Sequence, residues 1–398
     1  MGGVTRLPEA DGPAGSVGAA MDLRFTEQEE AFRAECREWL GAHVPRGLPS
    51  GDTHEGFGLH RDWERTLFDA RFAVVSWPEE YGGRGATPME WLIFEEEYYR
   101  AGGPQRVTQN GIFLLAPTVF DFGTDAQKDH ILPRMARGDD LWAQGWSEPG
   151  AGSDLAGIQS KAVRDETAGG WRLSGQKTWT TRGAFCTHLF GLFRSDPTAE
   201  RHRGLTYFLV PLDTDGVTVR GFGRLDGDEG FAEVFLDDVF VADDAVLGGV
   251  DQGWSVAMAT AGVERGLTLR SPGRFLAAAD RLVDLYRSVG DAADDRLRDD
   301  VVKAVIDAEA YRWQTFLTVT RMLEGESTGS ESSMTKIFWS EMDVRIHATA
   351  LGLLGPDAEL DGPWMKGYQF ALSGPIYAGT NEIQRNVIAE RVLGLPRK

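Results

Sequence analysis

The stretch Trp146-Ser-Glu-Pro-Gly-Ala-Gly-Ser-Asp154 lies where the chain changes from a helical to a β pattern. Within nine residues it contains one large aromatic, two hydroxyl residues, two glycines and two acids. Glycines let a ligand approach the backbone and its N–H groups, and Ser147 and Ser153 add hydroxyl donors. The same composition is typical of an ordinary turn after a strand. Both interpretations stay open on this segment alone.

Upstream of this stretch, the sequence predicts helices. Thr26 and Glu29 have the spacing of a capping box at the start of a first helix. A second helix is predicted to begin at Pro88, just after a threonine, and to end before the glycines at 102–103. Helical patterns continue to about Arg137.

Downstream, short β patterns separated by turns are followed by long helical patterns after about Gly253. This order predicts an α+β multidomain protein, with an N-terminal helical domain, a central antiparallel β-barrel domain and a C-terminal four-helix bundle. The predicted boundaries are 1–21 for a flexible extension, 22–140 for the helical domain, 141–250 for the β domain and 251–398 for the bundle.

The overall charge and the cysteines limit the classes of function. The 398-residue chain carries 41 basic and 61 acidic residues, a net charge of -20, which argues against a nucleic-acid or anionic membrane surface. Cys36 and Cys186 are far apart and have no metal or redox spacing, as expected in a reducing compartment. Neither a secretory signal nor a membrane span is apparent. The sequence therefore predicts a cytoplasmic protein.

Several familiar site motifs are incomplete. The seven histidines form no metal-binding pattern with acids or cysteines, so no metal site is predicted. Ser333 and Lys336 match an S-x-x-K pattern but lack its partner motifs. Gly221 and Gly223 lie among predicted strands without the third glycine or the following helix of a dinucleotide fingerprint.

Four segments together resemble the acyl-CoA dehydrogenase family. They are WSEPGAGSD at 146–154, GGWRLSGQKTWTTRG at 169–183, VERG at 263–266 and SGPIYAGTNEIQRNVIAERVLGLPRK at 373–398. The resemblance extends from about residue 22 to the end, and the set of four is far more specific than any one segment. It implies FAD, a thioester substrate and the same α, β, α order.

The resemblance implies a set of FAD-binding residues. The segment from Gln144 to Ser153 would lie along the flavin, Trp179 would pack on it, and Thr180 and Thr181 would bond its ring. Thr380 and Glu382 would reach the phosphates or ribose. The full predicted set is Gln144, Trp146, Ser147, Gly152, Ser153, Trp179, Thr180, Thr181, Thr380 and Glu382. Without the resemblance, the segment at 380–388 is a capped amphipathic helix with Ile383, Val387 and Ile388 inward.

The resemblance also implies a catalytic base. Many members have a glutamate immediately before the G-T of the C-terminal motif, but Ala378 stands here and cannot accept a proton. Another branch has the glutamate in an E-R pair, which Glu264 and Arg265 match. We therefore predict Glu264 as the base, with Ser153 and Arg265 contacting the substrate. A solvated Glu beside an Arg on a helix is the alternative.

Two further segments depart from the family pattern. Members usually carry R-x-x-F-G and Q-x-x-G-G-x-G segments that reach the FAD of a neighbouring subunit, whereas this chain reads YRSVGDAADDRLRDD at 286–300 and ATALGLLGPDAEL at 348–360. Either a homodimer or homotetramer, or a heterotetramer with a second dehydrogenase-like subunit, is compatible with these departures.

The implied reaction is α,β-dehydrogenation of an acyl-CoA, with electrons passed to an electron-transfer flavoprotein. The net charge disfavours an acidic carrier protein as thioester carrier, although Arg201, His202 and Arg203 could form a local basic patch. Two alternatives remain: a flavin monooxygenase or oxidase of the same fold, and a silent subunit that completes the active site of a partner.

Overall fold

The computed structural model describes residues 24–265, 271–290, 294–325 and 331–397, without the side chains of 263–265 and 331. The α-helices are α1 (Glu27–His43), α2 (His54–Asp69), α3 (Pro88–Arg100), α4 (Ala116–Phe122), α5 (Asp125–Ala136), α6 (Gly253–Arg265), α7 (Pro272–Val289), α8 (Asp295–Leu323), α9 (Glu331–Leu354), α10 (Pro363–Ala371) and α11 (Asn381–Val387). The strands are β1 (Trp142–Gly145), β2 (Lys161–Asp165), β3 (Gly170–Thr181), β4 (His188–Arg194), β5 (Leu205–Pro211), β6 (Val217–Phe222), β7 (Phe231–Ala242) and β8 (Val246–Leu247). The extension predicted at 1–21 lies outside the described residues.

The two predicted helix starts are confirmed by their caps. Thr26 accepts a hydrogen bond from the N–H of Glu29, whose carboxylate accepts one from the N–H of Thr26 at 2.7 Å. At α3, Thr87 and Glu90 form the same reciprocal pair, and the proline follows the cap directly. These bonds satisfy N–H groups that a helix start leaves without intrahelical partners. Gly102 follows α3 with a φ of 82°, which glycine adopts without strain.

The eight strands form one sheet in the order β6, β7, β3, β2, β4, β5, β8, with β1 added beside β4. The predicted antiparallel pairing holds for β2 with β3, β3 with β7, β4 with β5, β5 with β8 and β6 with β7. By contrast, β1 runs parallel to β4, and β2 is parallel to β4 at one residue pair. Parallel neighbours need a long connection. The chain from Trp146 to Thr187, which includes β2 and β3, provides it for β1 and β4.

Most of the C-terminal region is a helical bundle with its own core. Helices α7, α8 and α9 pack on one another and α10 packs on α9. Phe275, Tyr311 and Trp339 lie at the centre of this core. Among the described residues, no helix is long and apolar enough to cross a membrane.

Helix α6 packs against the N-terminal helices, the β domain and the bundle. It contacts α4 and the π-helix at Asn110–Leu115, the strand β5, and α9. The Oγ1 of Thr260 lies 2.8 Å from Oγ1 of Thr118 and 3.4 Å from the hydroxyl of Tyr207. Glu264 and Arg265 are at the end of this helix. The first three residues of the VERG motif, 263–265, thus belong to a helix that contacts all three regions.

Candidate functional site

Two of the four motifs are directly joined. The carbonyl of Ser147 accepts a hydrogen bond of 2.9 Å from the N–H of Thr178 on β3. Trp146 is only 8% exposed and packs edge-on against Tyr207, so its ring belongs to the core in this chain. The WSEPGAGSD segment and the β3 motif therefore form one continuous surface.

A buried ion pair holds this joint in position. The carboxylate of Glu148 accepts hydrogen bonds from Nζ of Lys177 at 2.7 Å and from the N–H groups of Gln159 at 2.6 Å and Ser160 at 3.0 Å. Burial opposes ionisation of Glu148, but the ammonium and the N–H donors outweigh it and hold its pKa below the usual value. Lys177 also donates to the carbonyl of Leu192 at 2.7 Å. The sequence reasoning missed this pair, although each member lies inside a motif it had singled out.

The far half of the WSEPGAGSD segment is open to solvent. Gly152 and Ser153 are exposed, and a Cβ added at Gly150 or Gly152 would meet nothing within 4 Å. Both glycines also have φ values that any residue can adopt. Neither packing nor backbone conformation therefore requires glycine here. Close approach of a ligand to the backbone would explain it.

Trp179 stands out on β3 by its backbone and its exposure. Its φ is 57°, in the left-handed region, and its side chain is 61% exposed. The β3–β7 register shifts between Lys177 and Thr180, where this residue lies. A bulky residue held in this conformation costs about 1–3 kcal/mol, and such strain clusters at functional sites. The ring packs edge-to-face on Phe222 and Phe231, with centroids 5.3 and 5.6 Å away.

The two threonines after Trp179 differ. Thr180 is fully buried, and among the described residues its Oγ1 has no hydrogen-bond partner. Thr181 is half-buried and pairs with Phe231 in the sheet. Thr180 therefore does not share the exposed surface of Trp179 in this chain. Gln144, on β1, is half-buried beside Phe190 of β4.

The C-terminal motif forms a capped helix start on the bundle. Thr380 Oγ1 accepts from the N–H of Ile383 at 3.2 Å. Glu382 is exposed, and hydrogen bonds from its own backbone N–H and from the Thr380 hydroxyl hold its pKa below the usual value. Helix α11 packs on α9. The motif is thus well formed, at a position separate from the joined pair of motifs.

The residue before the G-T of this motif is in an unusual conformation. Ala378 has a φ of 57° and Gly379 one of 79°. The amide of Gln384 donates to both of their carbonyls, at 3.0 and 3.3 Å. The amide of Gln384 thus holds the backbone turn at Ala378 and Gly379, where alanine stands in place of the acid.

Glu264 and Arg265 can be located only by their backbone. Both belong to the last turn of α6, and their side chains lie outside the described residues. The roles predicted for them remain predictions, as do those of the other named site residues.

Comparison with known proteins identifies the family. The N-terminal, middle and C-terminal domains of acyl-CoA dehydrogenase match residues 26–139, 143–239 and 251–393. The chain is 38% identical over 385 residues to acyl-CoA dehydrogenase IpdE1 of Mycobacterium tuberculosis, covering 93% of this chain and 98% of that protein. This protein therefore belongs to the acyl-CoA dehydrogenase family, whose members are oxidoreductases acting on CH–CH groups.

Two solved structures share the fold over almost the whole chain. The "Tcur3481-Tcur3483 steroid ACAD" has a TM-score of 0.84 and 26% identity, covering 95% of this chain and 100% of that one. The ChsE4-ChsE5 complex of Mycobacterium tuberculosis has a TM-score of 0.80 and 27% identity, with the same coverage. Both support the predicted order of helical, β and helical domains.

The described residues fit the FAD that the family uses. Trp179 offers an exposed aromatic face, and the open backbone at Gly150 and Gly152 can approach a ring or a phosphate. The buried Oγ1 of Thr180 and Nε1 of Trp146 have no partner among the described residues. Buried polar groups of this kind are normally hydrogen-bonded, so both atoms lack a partner that such groups usually have, although neither is exposed in this structure.

Proposed function

We propose that this chain catalyses FAD-dependent α,β-dehydrogenation of an acyl-CoA, and that its electrons pass to an electron-transfer flavoprotein. The observation that carries this proposal is the joint between two motifs. Ser147 bonds to Thr178, Glu148 pairs with Lys177, and the strained, exposed Trp179 follows directly. The two free cysteines favour a reducing compartment, the cytoplasm.

Glu264 takes the α proton of the acyl group in this proposal. A positioned base contributes about 10² to 10⁴ in rate, and a water-poor pocket raises its pKa toward the working pH. FAD, when bound, accepts the β hydrogen as hydride. Arg265 orients the base, and Ser153 contacts the nucleotide arm of the thioester.

The alternative position for a base carries no proton acceptor. It is occupied by Ala378, whose backbone has a φ of 57°. This supports the branch of the family in which the base belongs to an E-R pair.

We further propose that the chain assembles into a dimer-based oligomer, with a second dehydrogenase-like subunit as an available partner. The segments at 286–300 and 348–360 depart from the family motifs that complete a neighbour's FAD site. The ChsE4-ChsE5 structure is a complex of two different chains. The "steroid ACAD" likeness favours a bulky alicyclic acyl group as substrate.

The decisive experiment is anaerobic mixing of the purified protein with acyl-CoA thioesters of different size. We expect one FAD per active site and bleaching of the flavin by substrate. Glu264→Gln should keep FAD but slow bleaching by at least about 10²-fold. Glu27→Gln, at an exposed carboxylate on α1, is the control and should bleach normally. If adding Ala378→Glu to the Glu264→Gln variant restored the bleaching rate, this would support the idea that both positions reach the same α carbon.

Other outcomes separate the alternatives. Near-normal bleaching by Glu264→Gln would contradict the assignment of the base. Rapid reoxidation of reduced flavin by O₂ would favour a monooxygenase or oxidase of the same fold. A chain that binds no FAD and turns over only with a second subunit would be a subunit that completes its partner. Much faster turnover of a carrier-protein thioester would exclude coenzyme A as the preferred carrier.

A further inference from the structure

A cavity of about 440 Å³ lies in the N-terminal helical domain. It is bounded by the loop at 73–78, by α3 and by the π-helix and α4. Its walls are largely aromatic and aliphatic, with Trp77, Trp91, Phe94, Phe113 and Phe120 among them. A cavity of this size can enclose a substantial part of a small molecule.

One buried carboxyl group, that of Glu95, interrupts this apolar lining. Glu95 is 3% exposed and accepts a hydrogen bond from the side chain of Ser271. The nearby guanidinium of Arg106 is already engaged, by Glu64 at 2.5 Å and by the carbonyl of Ala73 at 2.9 Å. Two carboxyl groups thus compete for one cation.

Burial raises the pKa of Glu95 to about 7, with a smaller contribution from Glu64 and against the opposing effects of Arg106 and Ser271. Near neutral pH, the carboxyl group is therefore protonated in a large fraction of the molecules. A neutral carboxyl group can donate one hydrogen bond and accept others. A protonated Glu95 is therefore suited to a hydroxyl or ketone in this largely apolar cavity, which Ser76 and Asp121 also line.

The cavity is adjacent to the helix that carries the proposed base. The π-helix and α4 line the cavity and also contact α6, where Thr118 meets Thr260. Pro117, Phe120 and Asp121 of α4 line the cavity, so α4 carries both a wall of the cavity and the contact with α6. Ser271, the residue that bonds to Glu95, follows Glu264 by only seven positions.

We propose that Glu95 is a specificity-determining residue that hydrogen-bonds an oxygen substituent, a hydroxyl or ketone, on the distal ring of an alicyclic acyl group held in this cavity. The inference rests on the proposed acyl-CoA dehydrogenation. If Glu95 had only a structural role through its bond with Ser271, its substitution would not change the preference between substrates.

The test compares two CoA thioesters that differ by one hydroxyl. The two substrates are decalin propanoyl-CoA and the same thioester with a hydroxyl on the distal ring. Each is supplied to the full chain with its FAD, and with a partner subunit if FAD binding needs one. We expect kcat/KM to favour the hydroxylated thioester by about 10- to 100-fold, because the deoxy compound leaves the buried carboxyl group of Glu95 without a hydrogen-bond partner on the substrate. Glu95→Leu should abolish the preference, chiefly by raising KM for the hydroxylated compound, and Glu95→Gln should keep part of it.

The control is Glu80→Gln, which alters an exposed carboxylate three residues past Trp77 and should leave the preference unchanged. A second readout uses the matching CoA thioethers, which lack the carbonyl and cannot react. Their dissociation constants, measured by calorimetry, should show the same preference and its loss in Glu95→Leu.

The outcomes are distinguishable. If the wild type dehydrogenates no thioester but binds the hydroxylated thioether more tightly through Glu95, the proposed function is wrong and the pocket assignment stands. If wild type and both Glu95 variants show the same preference, or the variants lose both substrates equally along with thermal stability, Glu95 is structural and the inference is overturned.

Discussion

At the scale of single residues, the strongest departures from ordinary behaviour lie at the site surface and in the buried charges beside it. Trp179 keeps a left-handed backbone and an exposed ring, both unfavourable for an unliganded strand. Glu148 and Lys177 are buried but paired, which makes either one costly to remove alone. Glu95 is buried and lacks a cation of its own.

The raised pKa of Glu95 makes stability depend on pH. The folded state binds its proton more tightly than the unfolded chain, whose pKa is near 4.5 against about 7 when folded. This contribution is fully present below pH 4.5 and is lost as the pH rises through about 7. We expect the free energy of unfolding of wild type, relative to Glu95→Gln, to fall by up to about 3 kcal/mol between about pH 5 and about pH 8.

Urea titrations of both proteins at several pH values would measure this difference. Glu80→Gln, at an exposed carboxylate, should show no comparable slope. A flat difference for Glu95→Gln across the same range would mean that Glu95 is ionised in the folded protein throughout.

At the scale of elements, the WSEPGAGSD segment combines an anchored half with an open half. Ser147 and Glu148 hold the first half to β3, whereas Gly150 to Asp154 is mostly exposed. Within this half, Ala151 packs in the hydrophobic core and Asp154 forms a surface ion pair with Arg201 at 2.5 Å. An anchored half that supports an exposed backbone is typical of a ligand-binding segment.

Gly152→Ala tests whether the open half is shaped for a ligand. The new Cβ meets nothing within 4 Å and the φ is permissive, so the free chain should be unchanged or more stable by about 0.4–1 kcal/mol. The same Cβ should weaken FAD binding at least about tenfold if the flavin lies against this backbone.

Thermal unfolding of the FAD-free chain and a fluorescence titration with FAD would give both quantities. Gly58→Ala on α2, whose Cβ also meets nothing within 4 Å, is the matched control and should leave FAD affinity unchanged. Unaltered FAD affinity in Gly152→Ala would argue that the cofactor does not touch this glycine.

At the scale of the whole molecule, buried charges join the N-terminal helices to the β domain. Asp52, in the loop before α2, bonds at 2.5 Å to both Arg182 and Arg224 of the β domain. Arg224 in turn lies over the ring of Phe370 on α10. One carboxylate thus helps to fix the relative positions of all three regions.

Asp52→Asn should loosen this arrangement. Although burial opposes ionisation, the two guanidinium groups hold the pKa of Asp52 below its usual value, so its contribution is present above the ordinary pKa and is lost as the pH falls. Removing the charge leaves the buried guanidinium of Arg182 without its carboxylate partner, whereas Arg224 keeps its pair with Asp226 at 2.8 Å. We expect a loss of about 3–5 kcal/mol at neutral pH.

Chemical unfolding combined with limited proteolysis would measure the loss and show whether the N-terminal helices separate first. Asp62→Asn, which affects an exposed pair with Arg65, should cost less than about 1 kcal/mol. A similar loss in both variants would show that the domains are held by other contacts.

Features that depend on neighbouring residues were predictable from the sequence. The capping box at Thr26, the helix start at Pro88 and the succession of helical and β patterns follow from short-range hydrogen bonding and periodicity, and the structure confirms them. The four motifs were recognisable because each is a continuous segment, and because their order and spacing can be seen directly in the sequence. The family follows from them.

Features that depend on distant residues were not predictable. Ile383 and Val387 of α11, and Ile388 just after it, were predicted to face inward; all three are only partly buried, while Asn381 and Gln384 are buried. Hydropathy does not predict the burial of Asn381. That burial is stabilised by a hydrogen bond of 2.7 Å from Lys336, which lies on α9, far away in the sequence. Three further contacts also could not be predicted from the sequence. They are the parallel pairing of β1 with β4, the ion pair of Glu148 with Lys177, and the competition of Glu64 and Glu95 for Arg106. Each pairing joins residues from separate elements, and only the packing of the complete chain brings them within bonding distance.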